Sequence, residues 1–125
     1  MKLTARDETR LIGLHPDLVR VIRRAAVVTD IPFAVIEGMR TLETQRKYVA
    51  KGASKTMKSR HLNGHAIDIA PLIDGKITWA WPVYRNLAPI IKAAAAHQGV
   101  QIEWGGDWRS FQDGPHWQLP WKEYP

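Results

Sequence analysis

The segment that follows Asn63-Gly64 constrains the fold more than any other part of this chain. Asn-Gly is a strong turn signal, and residues 66–70 (AIDIA) then alternate with the period of two that is typical of a β-strand. Asp68 therefore lies on the opposite face of the strand from Ile67 and Ile69, which point towards a core. The sequence predicts a strand that buries one face and carries a carboxylate on the other.

Two histidines flank this turn and could bind a metal ion. His61 and His65 have the i, i+4 spacing of a zinc-binding pair on a helix. The turn and the alternating strand argue against a helix here, and strand alternation points His65 to the same side as Ile67, away from Asp68. We therefore interpret His65 as a structural or surface residue and retain His61 and Asp68 as candidate ligands.

The remaining ligands must be histidines or carboxylates, because the chain has no cysteine. A catalytic zinc ion usually keeps three protein ligands and one open position. His15 and His97 are expected beside helix ends. His116 is better placed, because Pro115 stiffens its approach and Asp113 lies three residues before it, where a carboxylate could take a proton from water. From the residues alone, a three-ligand site and a purely structural role for these side chains both remain open.

The composition predicts one domain without a membrane span. The chain has 125 residues, of which 45% are hydrophobic and 24% charged, and we predict a single domain over residues 1–125. No apolar run approaches the roughly 20 residues of a membrane span, and residues 1–8 lack the apolar region of a signal peptide. We therefore expect the chain to be made in the cytoplasm and to stay there unless something else releases it.

The net charge of +6 favours an anionic partner, which could be a nucleic acid, a membrane surface or an acidic cell-wall polymer. The solvent-exposed face of a predicted helix carries Arg20, Arg23 and Arg24. These arginines lack neighbouring aromatic residues. The chain also has no recognisable motif that places a helix or strand in a groove of a nucleic acid. A nucleic-acid-binding protein is therefore disfavoured.

Apolar spacing and turn signals predict mixed helices and strands along the chain. The predicted elements are a helix over 16–28, a strand over 31–38, a helix from Thr41 to about Gly52, a strand over 66–70 ended by Pro71, a hairpin at 74–76, a helix from Trp81 to about Gly99, a strand over 100–104 and a final strand near His116. This mixture predicts an α+β fold with a short, mostly antiparallel sheet flanked by helices.

Two motifs resemble the signatures of a known family. The pattern Ser59-x-His61-x-x-Gly64-x-Ala66-x-Asp68 is similar to the first signature of the zinc peptidases that include D-alanyl-D-alanine carboxypeptidases and L-alanyl-D-glutamate endopeptidases. Residues 113–117 (DGPHW) resemble their second signature, in which an acidic residue precedes the last zinc-binding histidine by three. Further blocks at 11–18, at 38–41 with Gln45 and at 103–108 resemble phage endolysins of the L-alanyl-D-glutamate type. The resemblance covers nearly the whole chain.

This resemblance implies a hedgehog/D-Ala-D-Ala peptidase-like fold whose sheet carries Zn2+. The implied zinc ligands are His61, Asp68 and His116. Asp113 matches the general base, and Arg40 matches an arginine that contacts the substrate or its developing negative charge. The positions expected to support the site or contact the substrate are Ser59, Gln45 and Glu103.

The same resemblance implies a zinc metallopeptidase that cuts the peptidoglycan stem peptide between L-Ala and D-Glu, acting as a phage endolysin in host cell lysis. D-alanyl-D-alanine carboxypeptidase activity remains an alternative within the enzyme class. A non-catalytic zinc-binding module that interacts with the cell wall is a further alternative. Asp113 argues against it, because a structural metal site needs no proton acceptor.

The resemblance also implies where the protein acts. An endolysin without a signal peptide accumulates in the host cytoplasm and reaches the periplasm and cell wall when a holin opens the inner membrane. Peptidoglycan is then the expected partner. We expect a monomer that neither binds nucleic acid nor inserts stably into a membrane.

Overall fold

Short helices and strands follow one another in nearly the order that the sequence predicts. The computed structural model describes residues 1–54 and 56–125. Within them the helices are α1 (Ala5–Leu11), α2 (Pro16–Val28), α3 (Leu42–Ala50) and α4 (Trp81–His97), and the strands are β1 (Phe33–Glu37), β2 (Ala66–Ile73), β3 (Lys76–Ile77), β4 (Glu103–Trp104) and β5 (His116–Gln118). Two 3-10 helices, Arg60–Asn63 and Gly105–Asp107, lie before β2 and after β4.

Strand β2 lies at the centre of an antiparallel sheet with the order β1-β2-β5-β4. Its far end pairs with the short β3 through the hairpin predicted at 74–76. The register places Asp68 opposite Glu37 of β1 on one side and opposite His116 of β5 on the other. The sheet thus brings three distant parts of the chain side by side, in the predicted α+β arrangement.

The helices cover one face of the sheet and form the core with it. Ile67 and Ile69 are buried, as their alternation with Asp68 predicts. Helices α2 and α4 pack against each other. Their buried core residues include Leu18, Val21, Ile22, Leu87 and Ile91. Among the described residues, no helix is both long and apolar enough to cross a membrane.

The prediction that Pro71 ends the central strand is wrong, because β2 continues to Ile73. Pro71 pairs with Phe33 at the beginning of β1. The next backbone N–H, that of Leu72, donates to the Pro32 carbonyl at 2.8 Å. The ladder therefore resumes immediately after the residue that lacks a donor.

The strand predicted over 100–104 is shortened to Glu103–Trp104. Gly99 adopts a left-handed φ of +67°, and the N–H of Val100 donates to the Ala95 carbonyl at 2.9 Å. The first part of this apolar segment therefore caps α4 instead of joining the sheet.

Helix α1 is absent from the predicted elements, although its start carries a capping signal. The Thr4 and Asp7 side chains each accept a hydrogen bond from the other residue's backbone N–H, at 3.1 and 2.9 Å. Asp7 is also buried, and its second carboxylate oxygen accepts a hydrogen bond from the N–H of Val35 at 2.9 Å. A single carboxylate thus starts α1 and attaches it to β1.

Candidate metal centre

Three side chains from different elements converge on the face of β2 that points away from the core. Antiparallel pairing sets Asp68 opposite His116, and the 3-10 helix before β2 brings His61 to the same place. The ligand atoms of the three residues all lie within 4.8 Å of one another. Both imidazoles are buried, whereas Asp68 is partly exposed. The group can therefore be reached from the surface.

Gly64 allows the 3-10 helix to turn directly into β2. Its φ of +75° is left-handed, and a Cβ at this position would lie 2.5 Å from the Gly13 carbonyl oxygen. Only glycine tolerates both the conformation and the close approach. Gly64 therefore has a structural role, because it sets the position of the His61 imidazole relative to β2.

The hydrogen bonds of the two imidazoles direct their remaining ring nitrogens towards Asp68. His61 Nδ1 lies 2.8 Å from the Gly38 carbonyl oxygen, and His116 Nε2 lies 2.8 Å from Gln118 Oε1. Both partners are acceptors, so these two nitrogens carry the ring protons. The other two ring nitrogens, His61 Nε2 and His116 Nδ1, face Asp68 Oδ1 at 3.2 and 3.3 Å.

Three acceptor atoms directed at one small space suit a cation. Burial lowers the pKa of His116, but the hydrogen bonds with Asp68 and Gln118 and the charges of Asp68 and Asp113 together outweigh burial, so the pKa lies above its ordinary value. Burial raises the pKa of Asp68, but its hydrogen bonds with His116 and His61 and the charges of both imidazoles together outweigh burial and hold the pKa well below its usual range. Two imidazoles and a carboxylate form a ligand set that fits Zn2+.

Asp113 lies in the same cleft, which has a volume of about 510 Å³, on the loop that leads into β5. Its N–H donates to the Gly105 carbonyl at 3.1 Å, and the Trp104 indole N–H donates to the Gly114 carbonyl at 2.7 Å. Burial raises the pKa of the Asp113 carboxyl, and the charge of Asp68 raises it further. A carboxylate with a raised pKa accepts protons more readily near neutral pH.

Arg40 lines the cleft on the side of β1, where a polar network holds it. Its guanidinium donates to Glu37 Oε1 at 2.5 Å and to Gln45 Oε1 at 2.6 Å. The guanidinium carbon lies 4.5 Å from the ring centroid of Tyr48, and one of its nitrogens lies 3.4 Å from Ser59 Oγ. The structure therefore brings together three residues that the sequence analysis singled out: Arg40, Gln45 and Ser59.

Glu37 and Tyr48 complete this network, although the sequence motifs do not include them. Glu37 Oε2 accepts a hydrogen bond from the Tyr48 hydroxyl at 2.9 Å, and Oε1 lies 3.9 Å from His61 Nδ1. The strand register, which pairs Glu37 with Asp68, is the signal that could have found this carboxylate. For Tyr48 the signal is its i+3 spacing from Gln45 on α3.

Gln118 is another residue that the motifs miss. It links Glu103 to His61, Asp68 and His116, which we call the metal group because they could hold a metal ion. Its Oε1 lies 2.8 Å from His116 Nε2, and its amide nitrogen donates to Glu103 Oε2 at 3.2 Å. Gln118 is two residues after His116 and so shares its face of β5. A chain of two hydrogen bonds through Gln118 therefore connects Glu103 to His116.

The other histidines lie apart from this group. His65 packs edge-on against His15 and Tyr124, at ring-centroid distances of 5.4 and 6.1 Å. His97 is the last residue of α4. This placement agrees with the interpretation of His65 as a structural residue.

The fold and the site together indicate a class of protein. A cleft on an α+β fold that presents two imidazoles and a carboxylate, with a second acidic side chain in the same cavity, is typical of metal-dependent hydrolases.

Comparison with known proteins narrows this class. The family model for the phage L-alanyl-D-glutamate peptidase matches residues 1–118. The crystal structure of the L-Ala D-Glu endopeptidase ChiX of Serratia marcescens has a TM-score of 0.94 and 46% sequence identity, and the match covers 100% of this chain and 94% of that one. The L-alanyl-D-glutamate peptidase of Escherichia phage T5 is 32% identical over 120 residues, which cover 90% of this chain and 85% of that protein.

A longer relative matches over part of its length. The L-alanyl-D-glutamate peptidase of Listeria phage A118 is 42% identical over 94 residues, which cover 75% of this chain but 32% of that protein. The chain belongs to the phage L-alanyl-D-glutamate peptidase family. The family resemblance and the fold class predicted from the sequence are therefore confirmed.

Proposed function

We propose that this chain is a zinc-dependent peptidase that hydrolyses the bond between L-Ala and D-Glu in the peptidoglycan stem peptide. The observation that carries the proposal is the convergence of the His61, Asp68 and His116 ligand atoms within 4.8 Å, in a cleft that also holds Asp113. The names of the relatives from Serratia marcescens and phage T5 support the choice of bond.

The residues present fit a zinc ion. His61 would bind through Nε2 and His116 through Nδ1, while Asp68 would contribute its carboxylate, because these are the atoms that face one another. The acceptors at Gly38 and Gln118 keep both rings in this orientation. When bound, the ion would supply Lewis-acid polarisation of the scissile carbonyl and would make a nearby water molecule more acidic.

Asp113 would act first as general base and then as general acid. Its raised pKa suits it to accept a proton from the attacking water and to return that proton to the leaving amine. On the opposite side of the cleft, Arg40 is held by Glu37 and Gln45. Its guanidinium would stabilise the negative charge that develops on the carbonyl oxygen or would bind a substrate carboxylate.

We also propose that the protein acts in phage lysis, which the phage origin of two relatives supports. It would accumulate in the host cytoplasm, reach the periplasm and cell wall when a holin opens the inner membrane, and act as a monomer. The net charge of +6 would help it to approach anionic polymers of the envelope.

Digestion of purified peptidoglycan, followed by mass spectrometry of the released fragments, tests the proposed bond. The expected products carry a new amino-terminal D-Glu and a new carboxy-terminal L-Ala. A chelator should abolish the cleavage and Zn2+ should restore it. Release of free D-Ala would identify a D-alanyl-D-alanine carboxypeptidase instead, and binding without cleavage would identify a wall-interaction module.

A further inference from the structure

The chemistry of the proposed scissile bond places a sugar beside the metal group. In peptidoglycan, the amino group of L-Ala is joined to the lactyl ether of N-acetylmuramic acid. One amino acid therefore separates the cleaved carbonyl from the substituent of the sugar. An extended residue spans at most about 3.6 Å and the lactyl group adds a similar length, so the pyranose ring lies within roughly 8 Å of the cleaved carbonyl. A cleft that holds this bond must also contact the ring.

The cleft has two kinds of lining. Beside the end of β1 it is polar, with Ser59 and with Arg40 paired to Glu37. The second lining, which we call the aromatic wall, comes from the loop between β4 and β5 and from the segment after β5. The aromatic wall consists of Trp108, Phe111 and Trp121.

Charge complementarity gives the substrate a direction in this cleft. D-Glu continues the stem peptide through its side-chain carboxyl group, so a carboxylate lies beside the scissile nitrogen. Lys58 lines the cleft and supplies positive charge for that carboxylate, and Arg40, beside its partner Glu37, adds guanidinium donors. The uncharged sugar on the other side of the scissile bond then faces the aromatic wall.

Trp121 is held in place before any ligand binds. The Arg60 guanidinium carbon lies 3.9 Å from the centroid of the indole ring, yet Trp121 is still 50% exposed. Arg60 itself is buried, and its guanidinium donates to the carbonyls of Leu119, at 2.9 Å, and Tyr124. Arg60 therefore anchors the indole, and Trp121 contributes to the lining of the cleft. Such preorganisation lowers the entropic cost of binding.

Phe111 provides a second, independent observation. Its φ is +53°, in the left-handed region that a bulky side chain rarely adopts. Its ring is 49% exposed at the cleft. Residues held in such sparsely populated backbone conformations cluster at active sites and ligand-binding sites.

Aromatic rings of this kind suit a pyranose. The negative face of an aromatic ring attracts the slightly positive C–H groups on the apolar face of a sugar. We propose that Trp121 and Phe111 form a saccharide site that binds the N-acetylmuramoyl ring, so that the enzyme prefers stem peptides still attached to glycan. This inference rests on the proposed function, because it takes the L-Ala–D-Glu bond as the bond that is cleaved.

Two substrates with the same stem tripeptide test the inference, one capped by N-acetylmuramoyl and the other by acetyl. For the zinc-loaded wild-type enzyme, kcat/KM should be about tenfold higher on the muramoyl substrate. Trp121→Ala and Phe111→Ala should each move this ratio towards one, and Trp121→Phe should retain most of it. Trp79→Ala is the matched control, since it removes a 65% exposed indole outside the aromatic wall and should leave the ratio unchanged.

The ratio is insensitive to the amount of folded enzyme, which affects both substrates equally. Equal kcat/KM of the wild type on the two substrates would overturn the saccharide site, as would a ratio that neither alanine variant alters. If the wild type cleaved neither substrate, the proposed scissile bond would be wrong. The saccharide site, which depends on that bond, would then be wrong as well.

Discussion

In each imidazole of the metal group, the ring nitrogen that does not face Asp68 is hydrogen-bonded to a neutral oxygen atom. For His61 this is the carbonyl of Gly38, and for His116 it is the side chain of Gln118. Such contacts fix both the tautomer and the direction of a metal ligand. The positions of the proposed ligands follow from motifs in the sequence, but the atoms that orient their rings do not.

The role of Asp113 can be separated from metal binding by Asp113→Asn. This variant should bind Zn2+ with the wild-type stoichiometry but lose about 10²- to 10⁴-fold in kcat, because the amide cannot accept the proton. Cleavage rates and the zinc content of the purified variant measure the two effects.

Asp107→Asn is the matched control. Asp107 has a 55% exposed side chain and pairs with Lys92 at 2.6 Å, and an exposed pair of this kind contributes about 0–1 kcal/mol. The control should keep wild-type turnover. Near-normal turnover of Asp113→Asn itself would show that another group is the base.

The raised pKa of the buried Tyr84 leads us to expect that the protein loses stability at alkaline pH. Burial raises the pKa of Tyr84 to about 12, while a tyrosine in the unfolded chain titrates near pH 10. The unfolded state therefore loses its proton first as the pH rises, and the free energy of unfolding falls between about pH 10 and 12. Tyr84→Phe should remove this contribution, and denaturant unfolding at pH 7 and at pH 11 measures it.

At pH 7 the same substitution should stabilise the protein by about 1 kcal/mol. The reason is that the Tyr84 hydroxyl is buried with no hydrogen-bond partner in the part of the chain that the structure describes. Tyr124→Phe provides the contrast, since its hydroxyl donates to Asp17 at 2.6 Å and its removal should cost about 1 kcal/mol. Equal losses in both variants would contradict the assignment for Tyr84.

At the scale of elements, the loop between β4 and β5 positions the proposed base. A Cβ on Gly105 would lie 2.4 Å from the Asp113 carbonyl oxygen and 3.1 Å from His116 Cβ. Gly105→Ala should therefore displace this loop and lower kcat by about 10²-fold, the cost of a shift of about 1 Å in a catalytic group. Steady-state kinetics and a thermal melt measure activity and folding separately.

Gly75→Ala is the control for this substitution. Gly75 lies in the β2–β3 hairpin with φ +76°, and a Cβ there would meet nothing within 4 Å. The control should lose about 1 kcal/mol of stability through backbone strain and keep its kcat. An active Gly105→Ala enzyme would show that the loop yields without moving Asp113.

At the scale of the whole molecule, the three proposed ligands connect segments that are far apart in sequence. A metal ion that binds the folded state alone stabilises it by about 2.7 kcal/mol at a concentration of 100 times its Kd. For a chain of 125 residues, this should raise the Tm of the apoprotein by about 10 °C. Differential scanning fluorimetry with and without Zn2+ measures the shift.

Two further measurements make this prediction specific. Asp68→Asn should reduce the zinc-induced shift, because it removes the charged ligand. Lowering the pH should also reduce it, since protons compete with the ion for His116, whose pKa lies above its ordinary value. An equal shift in wild type and Asp68→Asn would place the zinc elsewhere.

Local periodicity was enough to predict several features of the fold. The alternation around Asp68 places the carboxylate opposite the core, and Pro16 with the apolar spacing after it predicts α2 with its observed bounds. Pro71 shows the limit of such rules, because its partner strand and the neighbouring donors decide whether a proline ends a strand.

The sequence by itself determined the family, the α+β class and the side chains proposed to bind metal and move protons, because these depend on motifs and short-range spacing. Only the tertiary structure decided the contacts of Glu37, Gln118 and the aromatic wall. The physical reason is that these contacts join residues of different elements. Their distances are set by strand register and helix packing, which no local pattern specifies.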